Sequence, residues 1–170
     1  FLARLTAQES FSLDRESVSL AAELTAAFAK ELGFSVEEHP FPRAGSGLVV
    51  SRETGSVSAP IGFVAHLDTV HPAGSFPDSL KPAPEGGLYG PGIVDCKGGV
   101  AVALLAMYAL KELGFSRPLR LLLTPDEEVS NRLTGDDGIA FLQSHVKDCA
   151  AAFVCECGKR DEAVVERKGI

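Results

Sequence analysis

The segment Ile61-Gly62-Phe63-Val64-Ala65-His66-Leu67-Asp68 starts as an apolar run and ends in an imidazole and a carboxylate. Five consecutive residues without a polar side chain are too few for a helix and suit a short strand buried on both faces. Two further segments repeat this form. Leu119–Thr124 (LRLLLT) runs into Asp126, Glu127 and Glu128, and Ala151–Cys155 (AAFVC) runs into Glu156. Helical patterns separate the strands. Gly99–Leu113 reads as a buried helix stopped at Gly114, and Asp137–His145 as a short one. Upstream, Ala21, Leu24, Phe28 and Leu32 recur at helical spacing within Ser17–Leu32, and Gly33 closes that helix. Short strands are expected at Ser35–His39, Gly47–Arg52 and Ala163–Arg167. Strands that alternate with helices predict an α/β fold, a three-layer α/β/α sandwich with a mainly parallel sheet.

The chain has 170 residues, enough for one domain that buries about 70% of the surface its unfolded chain exposes. A hydrophobic fraction of 45% and a charged fraction of 23% are ordinary for a soluble globular protein. The longest apolar run, within Gly99–Leu110, falls short of a bilayer span, so no membrane partner is expected. Sixteen basic and 23 acidic residues leave a net charge of −7. That argues against nucleic acid, which needs clustered Lys and Arg. Residue 1 is Phe rather than Met, so the native N-terminus is expected upstream, and a signal peptide is neither found nor excluded. A cytoplasmic location is the expectation. The four cysteines, Cys96, Cys149, Cys155 and Cys157, are too sparse for a disulfide framework and are expected as reduced structural thiols. Cys155 and Cys157 would share a face if both lay on a strand, which makes them half of a thiolate metal site, but no second pair completes it.

The long stretch His66–Gly98 opens on His-Leu-Asp-Thr and closes on Asp-Cys-Lys-Gly. Loops of that length in compact domains are usually functional or disordered, and these termini mark it as functional. In open α/β sheets, ligands bind beyond the carboxyl ends of the strands. His66, Asp68, Asp95, the acids at 126–128 and Glu156 therefore plausibly converge at one sheet edge. Each has a plain reading by itself: a capped His, a solvated Glu pair, an Asp at a helix N-cap. Their arrival at successive strand ends favours the joint reading. Carboxylates brought together raise one another's pKa, and a cation removes the conflict. Imidazole with carboxylate suits zinc. There are more carboxylates than one zinc needs, which suits two metals about 3.5–4 Å apart on a shared carboxylate, with an acid left over to move protons. Other chemistries fit less well. Gly90–Gly99 lacks the Gly-Lys-Ser/Thr ending of a phosphate-binding loop. No Gly-x-Ser-x-Gly elbow occurs, and nothing places a His beside a particular Cys.

HLDTV (His66–Val70), YGPGIVDCKGG (Tyr89–Gly99) and TPDEEVS (Thr124–Ser130), taken in order, resemble the glutamate carboxypeptidase, aminoacylase and acetylornithine deacetylase family of di-zinc hydrolases, and the glutamate carboxypeptidase branch most. The resemblance implies two Zn2+ ions, with Co2+ or Mn2+ as alternatives. It implies that His66, Asp95 and Glu156 hold one zinc, that Asp95 bridges to the second, and that Glu128 ligates the second. Asp68 would orient His66, Glu127 would be the general base, and the peptide after Asp95 would be cis. The implied reaction is hydrolysis of an amide bond next to a free carboxylate, on a small peptide or N-acyl amino acid. The family's catalytic domain is interrupted by a smaller lid domain. Residues 1–170 would then be the N-terminal part of that catalytic domain, lacking the lid, its carboxylate-binding Arg and a later His for the second zinc. The full-length protein would dimerise through the lid, and the edge where the missing parts join would be apolar. The contrasting expectation is a non-catalytic domain that keeps the fold and binds metal weakly or not at all.

Overall fold

The computed structural model describes residues 1–76, 80–158, 162, 164 and 165. A short helix opens the chain, Leu2–Ala7 (α1), too brief to announce itself by periodicity. Asp14 then caps Arg15–Glu31 (α2). Its carboxylate accepts the amides of Glu16 and Ser17, two of the donors that a helix start leaves unpaired. Next come β1 (Ser35–Phe41), β2 (Gly45–Arg52) and β3 (Ile61–His66). The long Gly- and Pro-rich stretch contains a small hairpin of β4 (Lys81–Pro82) and β5 (Leu88–Tyr89). It leads through a distorted turn at Ile93–Lys97 into α3 (Gly98–Glu112). β6 (Leu119–Thr124), α4 (Asp136–Val146) and β7 (Ala151–Val154) follow.

The main sheet has the order β1-β2-β6-β3-β7. β3 pairs in parallel with β6 and with β7, whereas β2 pairs antiparallel with both β1 and β6. Four strands therefore point one way and β2 alone runs against them, a mainly parallel sheet. Residues alternate between two cores, as the strand period requires. Leu119, Leu121, Leu123, Phe63 and Ala65 join one core with the buried faces of α2 and α3. Leu122, Val49 and Val64 face the opposite side with Phe141 of α4. This is the α/β/α sandwich.

The crossovers fix where a site can form. From β3 the chain passes through α3 to β6, and from β6 it returns through α4 past β3 to β7. The direction reverses, so crossovers of one hand put α3 and α4 on opposite faces. The C-terminal loops of the adjacent strands β3 and β6 thus part, and a crevice opens between them.

The sheet edge differs from the expected pattern. β7 forms where a strand is expected, but all four of its residues are exposed, because it lies at the sheet edge with no described strand beyond it. Of the strand expected at Ala163–Arg167, only Val164 and Val165 are among the described residues, and they are in neither helix nor strand. The apolar helix forms where expected, at Gly98–Glu112. Together with the turn before it, Ile93–Glu112 reaches a length and hydropathy compatible with a bilayer. Its hydropathy has a different cause, since Val100, Ala103, Leu104 and Met107 pack into the core against the sheet.

A close approach joins α3 to the end of β7. A Cβ on Gly99 would run into the carbonyl oxygen of Cys155. Gly99→Ala must therefore push the first turn of α3 away from the segment that carries Glu156. A loss of about 1–3 kcal/mol or more is expected, the usual cost of overpacking. Denaturant unfolding of the full-length protein measures it, and an unchanged midpoint would contradict the close approach.

Candidate metal centre

His66 is the last residue of β3, and its side chain is buried. A Cys96 thiol holds its backbone: the His66 amide donates to Cys96 Sγ at 3.1 Å, and Sγ donates to the His66 carbonyl at 3.4 Å. Burial pushes the Cys96 thiol up, and it stays protonated. The imidazole is oriented as firmly. Nδ1 lies 3.0 Å from the carbonyl oxygen of Asp68 and 3.3 Å from its Oδ1. A carbonyl can only accept, so Nδ1 carries a proton and Nε2 is the nitrogen turned toward the site. Nε2 faces Asp95 Oδ1 at 2.9 Å and Glu156 Oε1 at 3.4 Å.

Each carboxylate arrives by a different route. Asp95 lies in the turn before α3, where its φ and ψ of −123° and 96° leave the helical region and the Asp95–Cys96 peptide is cis, as the resemblance implied. Glu127 and Glu128 open a turn just after β6, and their amides donate to Asp68 Oδ1 and Oδ2 at 3.0 and 3.2 Å. Glu156 follows the end of β7. One ligating atom from each of His66, Asp95 and Glu128 lies within 4.8 Å of the others, and the same holds for His66, Cys96 and Glu156. Glu127 is exposed and near enough for its charge to act on both Glu128 and Glu156.

The electrostatics ask for a cation. Burial raises the pKa of Glu128, and the charge of Asp95 raises it further. Glu156 rises for the same two main reasons, burial first, with His66 opposing. At His66, burial acts against the charged form, but hydrogen bonds to Asp68 and Cys96 outweigh it and push the imidazole up to about 12. A lone pair aimed at two carboxylate oxygens is repulsive, and a proton or a metal ion turns the repulsion into attraction. One imidazole nitrogen and several carboxylate oxygens within a few ångströms are a donor set that zinc accepts.

The other acid in the turn belongs elsewhere. Asp126 is fully buried, and its carboxylate accepts the amides of Leu133 and Thr134 and the Thr134 hydroxyl. It staples the loop that leads to α4. All four cysteines are free. β7 ends at Val154, so Cys155 and Cys157 do not share a strand face. Cys155 packs against the core, while Cys157 comes within reach of Asp95 and Glu156. Sequence reasoning also passed over the N-terminal segment. Ser12 Oγ donates to Asp68 Oδ2 at 2.6 Å, and the fully buried Lys97 donates Nζ to the carbonyl of Gln8 at 2.7 Å. Burial lowers the Lys97 pKa to about 8 against the opposing charge of Glu9. Neither contact leaves a local signal, because the partners lie far apart in the chain.

Comparison with known proteins agrees with this geometry. Residues 62–168 match the model of peptidase family M20/M25/M40. An acetylornithine deacetylase from Salmonella arizonae is 32% identical over 126 residues, which cover 70% of this chain and 32% of that protein. The chain thus spans about a third of the length of the curated relatives it matches. Among solved structures, human carnosine dipeptidase 1 is similar over 90% of this chain and 37% of its own, with a TM-score of 0.73 and 16% identity. An M20 family metallo-carboxypeptidase from Sulfolobus solfataricus is similar over 92% and 36%, with a TM-score of 0.72 and 17% identity. At such identities the structural likeness speaks for the fold. The family match over residues 62–168 supplies the identity: this chain belongs to peptidase family M20/M25/M40.

Proposed function

We propose that this chain carries most of a two-zinc centre that hydrolyses an amide bond next to a free carboxylate, on a small peptide or an N-acyl amino acid. The observation that carries the proposal is the His66 Nε2 nitrogen, turned toward the site by Asp68 and facing Asp95 and Glu156 at 2.9 and 3.4 Å. His66, Asp95 and Glu156 would hold one ion. Asp95 and Glu128 would hold the other. When bound, two such cations neutralise the crowded carboxylates and acidify a water between them.

The chain's own residues do the rest. Asp68 holds the Nδ1 proton and keeps Nε2 aimed at the site. It also accepts the amides of Glu127 and Glu128, which sets the turn that presents both side chains. Glu127 is the proposed general base: it takes the proton of the attacking water and passes it to the leaving amine. Its exposure lets it reach a substrate. Glu128, partly buried and crowded by Asp95, suits a ligand rather than a base.

Zinc content and hydrolysis of dipeptides and N-acyl amino acids by the full-length protein test this reading. Two zinc ions per chain and turnover abolished by a chelator are the expected result. No zinc and no turnover at saturating metal would leave the fold without the chemistry.

A further inference from the structure

We propose that Ser12 is a positioning residue of this centre, whose hydroxyl sets the orientation of the Asp68 carboxylate and through it of His66, Glu127 and Glu128. The inference rests on the reading of the site as a metal centre. Ser12 also lies outside residues 62–168, where the family is matched.

Asp68 is fully buried, and polar groups meet both of its carboxylate oxygens while its backbone carbonyl faces His66 Nδ1. Oδ1 faces His66 Nδ1 at 3.3 Å and accepts the Glu127 amide at 3.0 Å. Oδ2 accepts the Glu128 amide at 3.2 Å and the Ser12 hydroxyl at 2.6 Å. A buried carboxylate needs its oxygens satisfied, and a bond to an ionised acceptor is the strong kind. The torsion that turns an Asp carboxylate about its own axis is soft. Hydrogen bonds rather than rotamer preference therefore hold its plane. Without Ser12, Oδ2 keeps one long bond to an amide. The carboxylate can then twist, and the groups it holds move with it.

Ser12 is held in place for this task. Its amide donates to the Thr69 carbonyl at 3.1 Å, and the Thr69 amide donates back to the Ser10 carbonyl at 2.8 Å. Phe11 and Thr69 form an isolated parallel bridge. Lys97 Nζ, from the residue after Cys96, fastens the Gln8 carbonyl. The N-terminal segment is thus clasped to the loop that follows β3 and to the turn that carries Asp95.

The same segment provides a control. Ser10 is as buried as Ser12, but its hydroxyl has no partner among the described residues. In the full-length protein, Ser12→Ala is expected to weaken zinc binding, read by chelator competition, by roughly 10-fold, the lower end of what outer-sphere partners of a metal ligand command. The accompanying loss should appear in kcat with KM little changed. In the metal-free protein, hydrogen exchange at the Glu127 and Glu128 amides should quicken. Ser10→Ala should leave all three readings at the wild-type level. Should Ser12→Ala fail to fold, the isosteric pair Ser12→Thr and Ser12→Val decides, with Thr close to wild type and Val impaired. Wild-type zinc affinity and exchange in Ser12→Ala, equal losses in Ser10→Ala, or no difference between Thr and Val would overturn the proposal. If the wild-type protein binds no zinc, the metal-centre reading fails, and the exchange rates alone decide the role of Ser12.

Discussion

Glu127→Ala is expected to abolish turnover in the full-length protein while zinc content stays near the wild-type level, and Glu128→Ala is expected to lose zinc as well. The two residues are adjacent, and both amides are pinned to one carboxylate, Asp68. Neighbouring side chains on a tight turn diverge, so one can face solvent and substrate while the other faces the metal. Glu127 is exposed, whereas Glu128 lies partly buried within ligating distance of His66 and Asp95. Removing a general base typically costs on the order of 10²–10⁴-fold. The cost here is expected at the upper end, because the same group also prepares the nucleophile. Loss of Glu128 should cost at least the 10–100-fold in zinc affinity that even outer-sphere partners command. Metal analysis beside steady-state kinetics checks both variants. Equal zinc loss in the two would reverse the assignment.

Residues 1–170 alone, supplied with excess zinc, should show no measurable hydrolysis of dipeptides or N-acyl amino acids. Among the described residues, the groups able to hold a metal draw on a single histidine, His66. On the proposed assignment one ion would have His66, Asp95 and Glu156, and the other only the shared Asp95 and Glu128. A two-metal reaction needs both ions to clamp the attacking and leaving oxygens. Positioning of the substrate can supply several kcal/mol of the barrier, and the family resemblance places the carboxylate-binding Arg outside these residues. Apolar side chains also stand exposed, Val102 and Leu105 on α3 and Phe153 and Val154 on the edge strand β7. An isolated chain should therefore self-associate, which sedimentation would detect. Turnover near the rate of the full-length protein would show that the centre is complete within these residues and would refute the ligand assignment.

Much of the fold was legible because it rests on local pattern. The apolar run at Ile61–Ala65 and the periodic helix that includes Val100, Ala103, Leu104 and Met107 form where expected, to within a residue or two. The helix α1 escaped because six residues carry no period. The exposure of β7 was not legible, because an apolar run states only that burial is favourable, not that a covering layer is present.

The sequence by itself determined that three apolar strands would end in His66, the acids at 126–128 and Glu156, and that such strands belong in a mainly parallel sheet between helices. That follows from periodicity and from the short reach of local interactions. Only the tertiary structure decided where the acids point: Asp126 turned inward to staple a loop, the Asp68 carboxylate accepting from Ser12 and from the amides of Glu127 and Glu128, Glu127 outward and Glu128 toward His66 and Asp95. It alone also brought Ser12 to Asp68, across 56 residues of chain. The reason is geometric. Strand order and the reversal of the crossovers between β3 and β6 open the crevice, and neither is written in the spacing of any one segment.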